Sequence, residues 1–220
     1  MKRFSAVVLA AGASRRFGQD DKLRAEFDGK PILSHVLDGL GTLGLGEVLV
    51  VARKPLSGVP HIVNPHPEAG MGHSLALGVA ALKPCDGAFI VLADMPLIVP
   101  DLYREMADAL PGHDIVVPVH NGQNGHPVLF SFTCFDDLRR LSGDHGARDL
   151  LRSGRYRLRH IETGGFILAD IDTPEDLNRL KIPWLSTRAK ISSRPVDIDV
   201  SFKHLLSKYQ QKHRAHRKPS

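Results

Sequence analysis

The sequence predicts an α/β fold, a three-layer Rossmann-like arrangement in which helices cover both faces of a mainly parallel sheet. Three observations carry this expectation. Compact apolar runs of strand length recur along the chain, helix-period segments lie between them, and the first run ends in a turn of small residues. Phe4 to Ala10 is that first run, ending at Gly12. Pro31 then opens a helix with Ile32, Leu33, Val36, Leu37 and Leu40 on one face, in a first turn where a missing N–H costs nothing. Strands follow at Val48 to Ala52 and His61 to Val63, a helix at Ser74 to Leu82, a strand at Ala88 to Ala93, a helix at Pro100 to Leu110 and a strand at Ile115 to Val119. The order then weakens. His120 to His126 is a Gly- and Asn-rich turn, Val128 to Phe130 a short strand and Phe135 to Leu141 a helix. A last strand is expected near Phe166 to Asp170, with Thr173-Pro174-Glu175 starting a helix that runs to about Lys181. No internal repeat is visible. Sheets of this kind bind ligands beyond the carboxyl ends of their strands, which directs attention to the loops after Ala10, Val63, Ala93 and Val119.

Composition fits a globular chain of one or two domains: 220 residues, 42% of them hydrophobic. Cys85 and Cys134 are too few and too isolated for a disulfide framework, which points to a reducing, cytoplasmic compartment. The longest uninterrupted apolar run, Ala88 to Ala93, is far below the ~18 residues of a membrane helix, so no membrane association is expected. Lys2 and Arg3 ahead of Ala6 to Ala11 mimic a signal peptide, but the stretch is at the short limit and runs into Arg15 and Arg16.

Charge divides the chain. From Pro183 onward nine Lys or Arg face two Asp, a balance of +7, while the preceding residues carry 20 basic and 22 acidic groups. With Ile182-Pro183-Trp184 as a boundary, residues 1–182 are expected to form the folded domain and 183–220 a basic extension, partly helical or disordered. Phe202, Leu205, Leu206 and Tyr209 could line a short helix there, whereas His213 to Ser220 is too polar to fold alone. A nucleic-acid or acidic-partner binding protein acting through this tail is the alternative of another class. Tyr209 is its lone obvious stacking aromatic, and nucleic acid is not the expected partner.

The first loop, Leu9-Ala10-Ala11-Gly12-Ala13-Ser14-Arg15-Arg16-Phe17-Gly18 to Lys22, combines small residues that let a ligand approach the backbone with the charges of Arg16 and Lys22. It suits a triphosphate but lacks both the dinucleotide glycine spacing and a Gly-Lys-Ser/Thr ending. An ordinary strand-to-helix loop with solvated bases is the competing reading. Asp94, in Ala93-Asp94-Met95-Pro96, stands where a buried strand ends and is placed either to hold Mg²⁺ or to cap a turn. Asp170 and Asp172 share one face of an extended segment, and one of them could supply a second metal oxygen. Thr173 with Asp176 three residues on is a capping-box pattern. Gly70-Met71-Gly72-His73-Ser74 is a glycine-rich helix entry whose first turn could donate N–H groups to an anion or a base. His126 and His145, without paired His or Cys spacing, read as hydrogen-bonding groups, and neither Ser74 nor Ser131 sits in a G-x-S-x-G elbow.

Taken jointly, Leu9-Ala10-Ala11-Gly12-x-Ser14-x-Arg16-x-Gly18…Lys22, Gly70-Met71-Gly72-x-Ser74-Leu75, Leu92-Ala93-Asp94-Met95-Pro96, Gly125-His126-Pro127-Val128, Gly143-Asp144-x-Gly146-Ala147-Arg148 and Asp170 to Asp176 resemble the molybdenum cofactor cytidylyltransferases. These belong to the nucleotidyltransferases of glycosyltransferase-A-like fold. The resemblance spans residues 4–181, with the motifs in order, and leaves the tail outside. It implies that CTP and Mo-molybdopterin are the substrates, that molybdopterin cytosine dinucleotide and pyrophosphate are the products, and that Mg²⁺ is the cofactor. It further implies that Leu9 to Gly12 and Ser14 hold base and ribose, that Arg16 and Lys22 hold the triphosphate, and that Asp94 holds the metal with Asp170 or Asp172. Asn64, Gly72 and Ser74 would lie against the nucleoside, and His126 and Arg148 would face the acceptor. A recipient molybdoenzyme or its chaperone is the implied downstream partner. The cytidylyl branch has Leu-Ala-Ala-Gly where the guanylyl branch has a second Gly, and Ala11 places this chain with the former. Guanylyl transfer, or nucleotidyl transfer to a sugar phosphate or other phosphorylated acceptor, shares the same residues.

Overall fold

The computed structural model describes residues 3–12 and 25–180; Ser14, Arg16, Lys22 and the tail from 183 lie outside them. In chain order the strands are β1 (Phe4–Ala10), β2 (Glu26–Phe27), β3 (Lys30–Pro31), β4 (Val48–Ala52), β5 (His61–Val63), β6 (Gly87–Leu92), β7 (Ile115–His120), β8 (Gln123–Asn124), β9 (Val128–Ser131) and β10 (Leu158–Glu162). The helices are α1 (Ile32–Gly41), α2 (Gly70–Ala81), α3 (Pro100–Ala109), α4 (Phe135–Leu138) and α5 (Arg148–Arg152). A further helical stretch covers 174–180.

One sheet holds the order β10-β7-β9-β6-β1-β4-β5, with β8 paired to β7. β1 runs parallel to both β4 and β6, β4 to β5, and β7 to β10; β9 is antiparallel to its neighbours β6 and β7, as is the two-residue β8 to β7. The direction of β9 matters for the site. An antiparallel β9 begins at the edge where the parallel strands end, so Gly125-His126-Pro127 joins the loops that follow β1, β5 and β6.

The alternation of strand side chains builds two cores. Ala6, Val8, Val50, Phe89 and Val91 face α1 and α3 through Ile32, Val36, Leu40, Leu102, Tyr103 and Met106. Their neighbours Val7, Val51, Ala88 and Ile90 face α2, α4 and α5 through Leu75, Val79, Phe135, Leu138 and Leu150. The result is the three-layer sandwich that period-two apolar runs demand. Helix α1 buries Ile32, Val36 and Leu40 at four-residue spacing, and α3 starts with Pro100 in its first turn as expected. Among the described residues no helix is long and apolar enough to cross a membrane.

Four expectations change. The apolar stretch near Phe166 to Asp170 is not a strand: Gly165–Leu168 forms a 3-10 turn that drives Phe166 and Ile167 into the core, and the Ile167 carbonyl accepts from the His126 amide. The last strand is instead β10, on the sheet edge, where only Ile161 of its five residues is buried. The helix expected from Phe135 to Leu141 is a 3-10 turn at Phe132–Cys134 followed by the four residues of α4. Finally, α2 starts at Gly70, four residues before Ser74.

Candidate active site

The carboxyl edge of the sheet gathers most of the described candidates. At its centre β1 and β6 end side by side, Leu9 opposite Leu92, and the Ala93 amide donates to the Leu9 carbonyl at 3.1 Å. Ala10, Ala11 and Gly12 therefore leave the sheet directly beside Asp94. Ala10 and Ala11 are buried and Gly12 is exposed, with nothing within 4 Å of where a Cβ would sit. This crossing, with β4 reached on one side of β1 and β6 on the other, is the topological switch point where open α/β sheets hold ligands.

Asp94 is half-buried, and its backbone carbonyl accepts the Ile171 amide at 3.0 Å. Ile171 is fully buried, and the residues flanking it, Asp170 and Asp172, are half-buried and alternate away from the core. One backbone hydrogen bond thus docks the second acidic motif on the first. A reciprocal cap holds that segment in place. The Asp176 carboxylate accepts from the Thr173 amide and hydroxyl, both at 2.9 Å, and from the Asp172 amide at 3.2 Å, while the Asp176 amide donates to Thr173 Oγ1 at 3.2 Å. The capping box read from Thr173 and Asp176 is present, with the shorter Asp in place of Glu.

These are hard oxygen donors. Among the described residues no three His, Cys, Asp or Glu side chains form a group able to hold an ion by themselves. A pair of carboxylate segments on an open edge fits Mg²⁺, which takes one or two carboxylates and completes its shell with phosphate and water.

His126 lies in the turn two residues before β9. Its ring is half-buried, faces the Ile90 backbone and has Asp94 and Arg148 as electrostatic neighbours; Nδ1 is buried with no hydrogen-bond partner among the described residues. Burial holds the imidazole below the usual histidine range, Asp94 opposing the shift and Arg148 adding to it. The ring is therefore neutral near pH 7 and adds no cationic charge. Arg148 is exposed at the start of α5.

Three further candidates, Asn64, Gly72 and Ser74, meet where β5 leads into α2. Asn64, 1% exposed, donates from Nδ2 to Ser74 Oγ at 2.9 Å, and its Oδ1 accepts from the His66 amide at 2.8 Å. Both Asn64 and Ser74 are buried, so the pair fastens the β5–α2 turn to the helix. The Gly72 amide, expected to face a ligand, donates to the Gly143 carbonyl at 2.8 Å. Sequence reading overlooked that partnership because it joins backbones 71 residues apart. It also passed over Ile171, whose contribution is an amide, and His73, whose buried Nε2 has no hydrogen-bond partner among the described residues.

Comparison with known proteins agrees with this arrangement. A family model described as the MobA-like NTP transferase domain matches residues 6–161. The chain is 35% identical over 197 residues to the purine catabolism protein PucB of Bacillus subtilis, covering 80% of this chain and 94% of that one. It is 28% identical over 184 residues to the molybdenum cofactor cytidylyltransferase of Escherichia coli, again covering 80% and 94%. The crystal structure of Rv0371c from Mycobacterium tuberculosis superposes with a TM-score of 0.72 at 29% identity, covering 82% of this chain and 98% of that one, and the same protein has been solved in complex with manganese.

Proposed function

The chain belongs to the MobA-like NTP transferase family and is a nucleotidyltransferase, and from that premise we propose that it transfers CMP from CTP to the terminal phosphate of Mo-molybdopterin. The products are molybdopterin cytosine dinucleotide and pyrophosphate. One observation carries the reading: the small-residue turn at Ala10 to Gly12 and the docked carboxylate segments of Asp94 and Asp170 to Asp172 share the β1–β6 edge.

The chemistry asks little of acid–base groups. A phosphate monoester has a second pKa of ~6, so near neutral pH the acceptor is already a dianionic nucleophile. Its oxygen bonds to the α-phosphorus of CTP, and the bond from that phosphorus to the bridging oxygen of pyrophosphate breaks. Two anions must be brought together in line, which calls for positioning and charge compensation. Arg16 and Lys22, which follow Gly12 in the sequence, supply positive charge to the triphosphate. Asp94 with Asp170 or Asp172 would hold Mg²⁺, which neutralises phosphate charge as a Lewis acid. Leu9 to Gly12 and Ser14 take the nucleoside, and the buried Asn64–Ser74 pair braces the wall behind it. Neutral His126 and cationic Arg148 face the acceptor, Arg148 toward its phosphate.

The relatives bear different names, and CTP is favoured here on Ala11. Its methyl stands where the guanylyl branch has glycine, which narrows the pocket against a purine by ~1 to 3 kcal/mol, enough for preference and not for exclusion. The test is pyrophosphate release from CTP, GTP and ATP, each offered molybdopterin and a set of sugar phosphates. Fastest release with CTP and molybdopterin is expected. Equal rates with GTP would overturn the base assignment, and turnover confined to sugar phosphates would overturn the acceptor.

A further inference from the structure

The entry to α2 and the loop 142–148 are joined backbone to backbone. The Gly72 amide donates to the Gly143 carbonyl at 2.8 Å, and the Gly143 amide donates to the Ala69 carbonyl at 3.0 Å. The two segments approach so closely that side chains are excluded at Gly70 and Gly72. A Cβ on Gly72 would lie 2.7 Å from the Ser142 carbonyl oxygen and 3.0 Å from that of Gly143, and one on Gly70 would lie 2.4 Å from the Gly143 carbonyl carbon. Gly70 also has φ +92, a conformation closed to most other residues. Two turns further on, Gly146 (φ +55) faces the Met71 side chain, its Cβ position 3.4 Å from Sδ. Arg148 follows two residues later, at the start of the five-residue α5.

Sequence reading gives the glycines of this entry a ligand-facing task. The distances give them another. Gly72 uses its amide within the protein, and its missing side chain makes room for the segment that carries Arg148. We propose that Gly70, Gly72 and Gly143 form a clasp that positions Arg148 for the acceptor phosphate, making Gly72 a positioning residue for the second substrate although it sits on the nucleotide side of the site. The clasp deepens the acceptor assignment of Arg148 and rests on it. It also links the two substrates physically, since α2 begins beside the buried Asn64–Ser74 pair while its first turn holds the acceptor loop.

Gly72→Ala is the direct perturbation, because the backbone at Ser142 and Gly143 must move to admit the methyl. In the full-length chain, with CTP and molybdopterin varied separately in a pyrophosphate-release assay, the KM for acceptor is expected to rise about tenfold while calorimetric affinity for Mg-CTP changes less than about threefold. Arg148→Ala raises the same KM, and the double variant is no worse than Arg148→Ala alone, because both changes remove one interaction. Losses that multiply in the double variant, or a fall in CTP affinity matching the acceptor effect, would overturn the clasp. Hydrogen exchange across 142–148 reads it without any acceptor: exchange accelerates in Gly72→Ala, and unchanged protection would contradict the proposal. Should thermal melting show Gly72→Ala unfolded, the wild-type chain carries the exchange reading instead: the Gly72 and Gly143 amides, each bonded across the two segments, should be among the protected amides of 69–72 and 142–148, and rapid exchange at both would contradict the clasp. A wild-type chain inactive with molybdopterin would refute the acceptor assignment, while the exchange result would still judge the clasp.

Discussion

Replacing Asp176 by alanine tests how the second acidic motif is held against Asp94. The Asp176 carboxylate, on a residue 8% exposed, accepts three hydrogen bonds, two from backbone amides at 172 and 173 and one from the Thr173 hydroxyl. Arg179 adds an ion pair at 3.5 Å. Loss of a helix cap costs ~1 kcal/mol, and stranding further partly buried donors of a charged acceptor brings the total to about 2 to 3 kcal/mol. For a chain of this size each kcal/mol moves Tm by about 2 to 4 °C, so Asp176→Ala should melt about 4 to 12 °C below the wild type. Circular dichroism melts and urea midpoints read this directly. Thr173→Ala removes the reciprocal half of the cap and should cost ~1 kcal/mol, with the double variant less destabilised than the two single losses combined. An unchanged midpoint in Asp176→Ala, or strict additivity with Thr173→Ala, would refute the reciprocal cap as the anchor of the 170–172 segment.

Two further outcomes follow from packing and charge away from the site. Gly78 lies where α2 crosses the central strands, and a Cβ there would sit 2.4 Å from Val7 Cγ1 and 2.9 Å from Val51 Cγ2. Gly78→Ala should therefore lower stability by about 1 to 3 kcal/mol in urea unfolding, with Val7→Ala restoring part of the loss in the double variant; an undisturbed midpoint would show that the layers have slack. At the opposite edge of the sheet, Arg157 and its backbone amide hold the Asp114 carboxyl below the usual carboxylate range. A carboxylate depressed in the folded state stabilises above its unfolded pKa of ~3.9 and loses that contribution as pH falls through the lower folded value. The midpoint gap between wild type and Asp114→Asn should be full at neutral pH and close in acid below that point. A gap independent of pH would exclude the ion pair as its source.

Most of the sheet was legible because its inner strands are apolar on both sides. Phe4 to Ala10, Val48 to Ala52 and the runs at Ala88 and Ile115 appear at or within a residue of their expected bounds, and the three-residue edge strand His61 to Val63 was found from its short apolar run although none of it is buried. β10 was missed for the converse reason: Arg159, His160 and Glu162 are exposed on an edge strand, so its residues carry little apolar signal. Phe166 and Ile167 misled because an apolar pair can plug a core from a 3-10 turn as well as from a strand. The early start of α2 was hidden by poor helix formers at Gly70 and Gly72, whose cost is offset by a tertiary contact that local propensity does not see. Asp94, Asp170 and Asp172 were recognisable as chemistry, yet their meeting depends on the Ile171 amide and on the strand order. The antiparallel direction of β9, which brings His126 to the same edge, had no local signature at all.

Pyrophosphate release by Asp94→Ala, with CTP, Mg²⁺ and molybdopterin, tests the central claim that nucleotidyl transfer takes place at the β1–β6 edge around this carboxylate. The rate should fall by at least about a hundredfold while the melting temperature stays near that of the wild type. Turnover at the wild-type rate by a folded Asp94→Ala chain would contradict it.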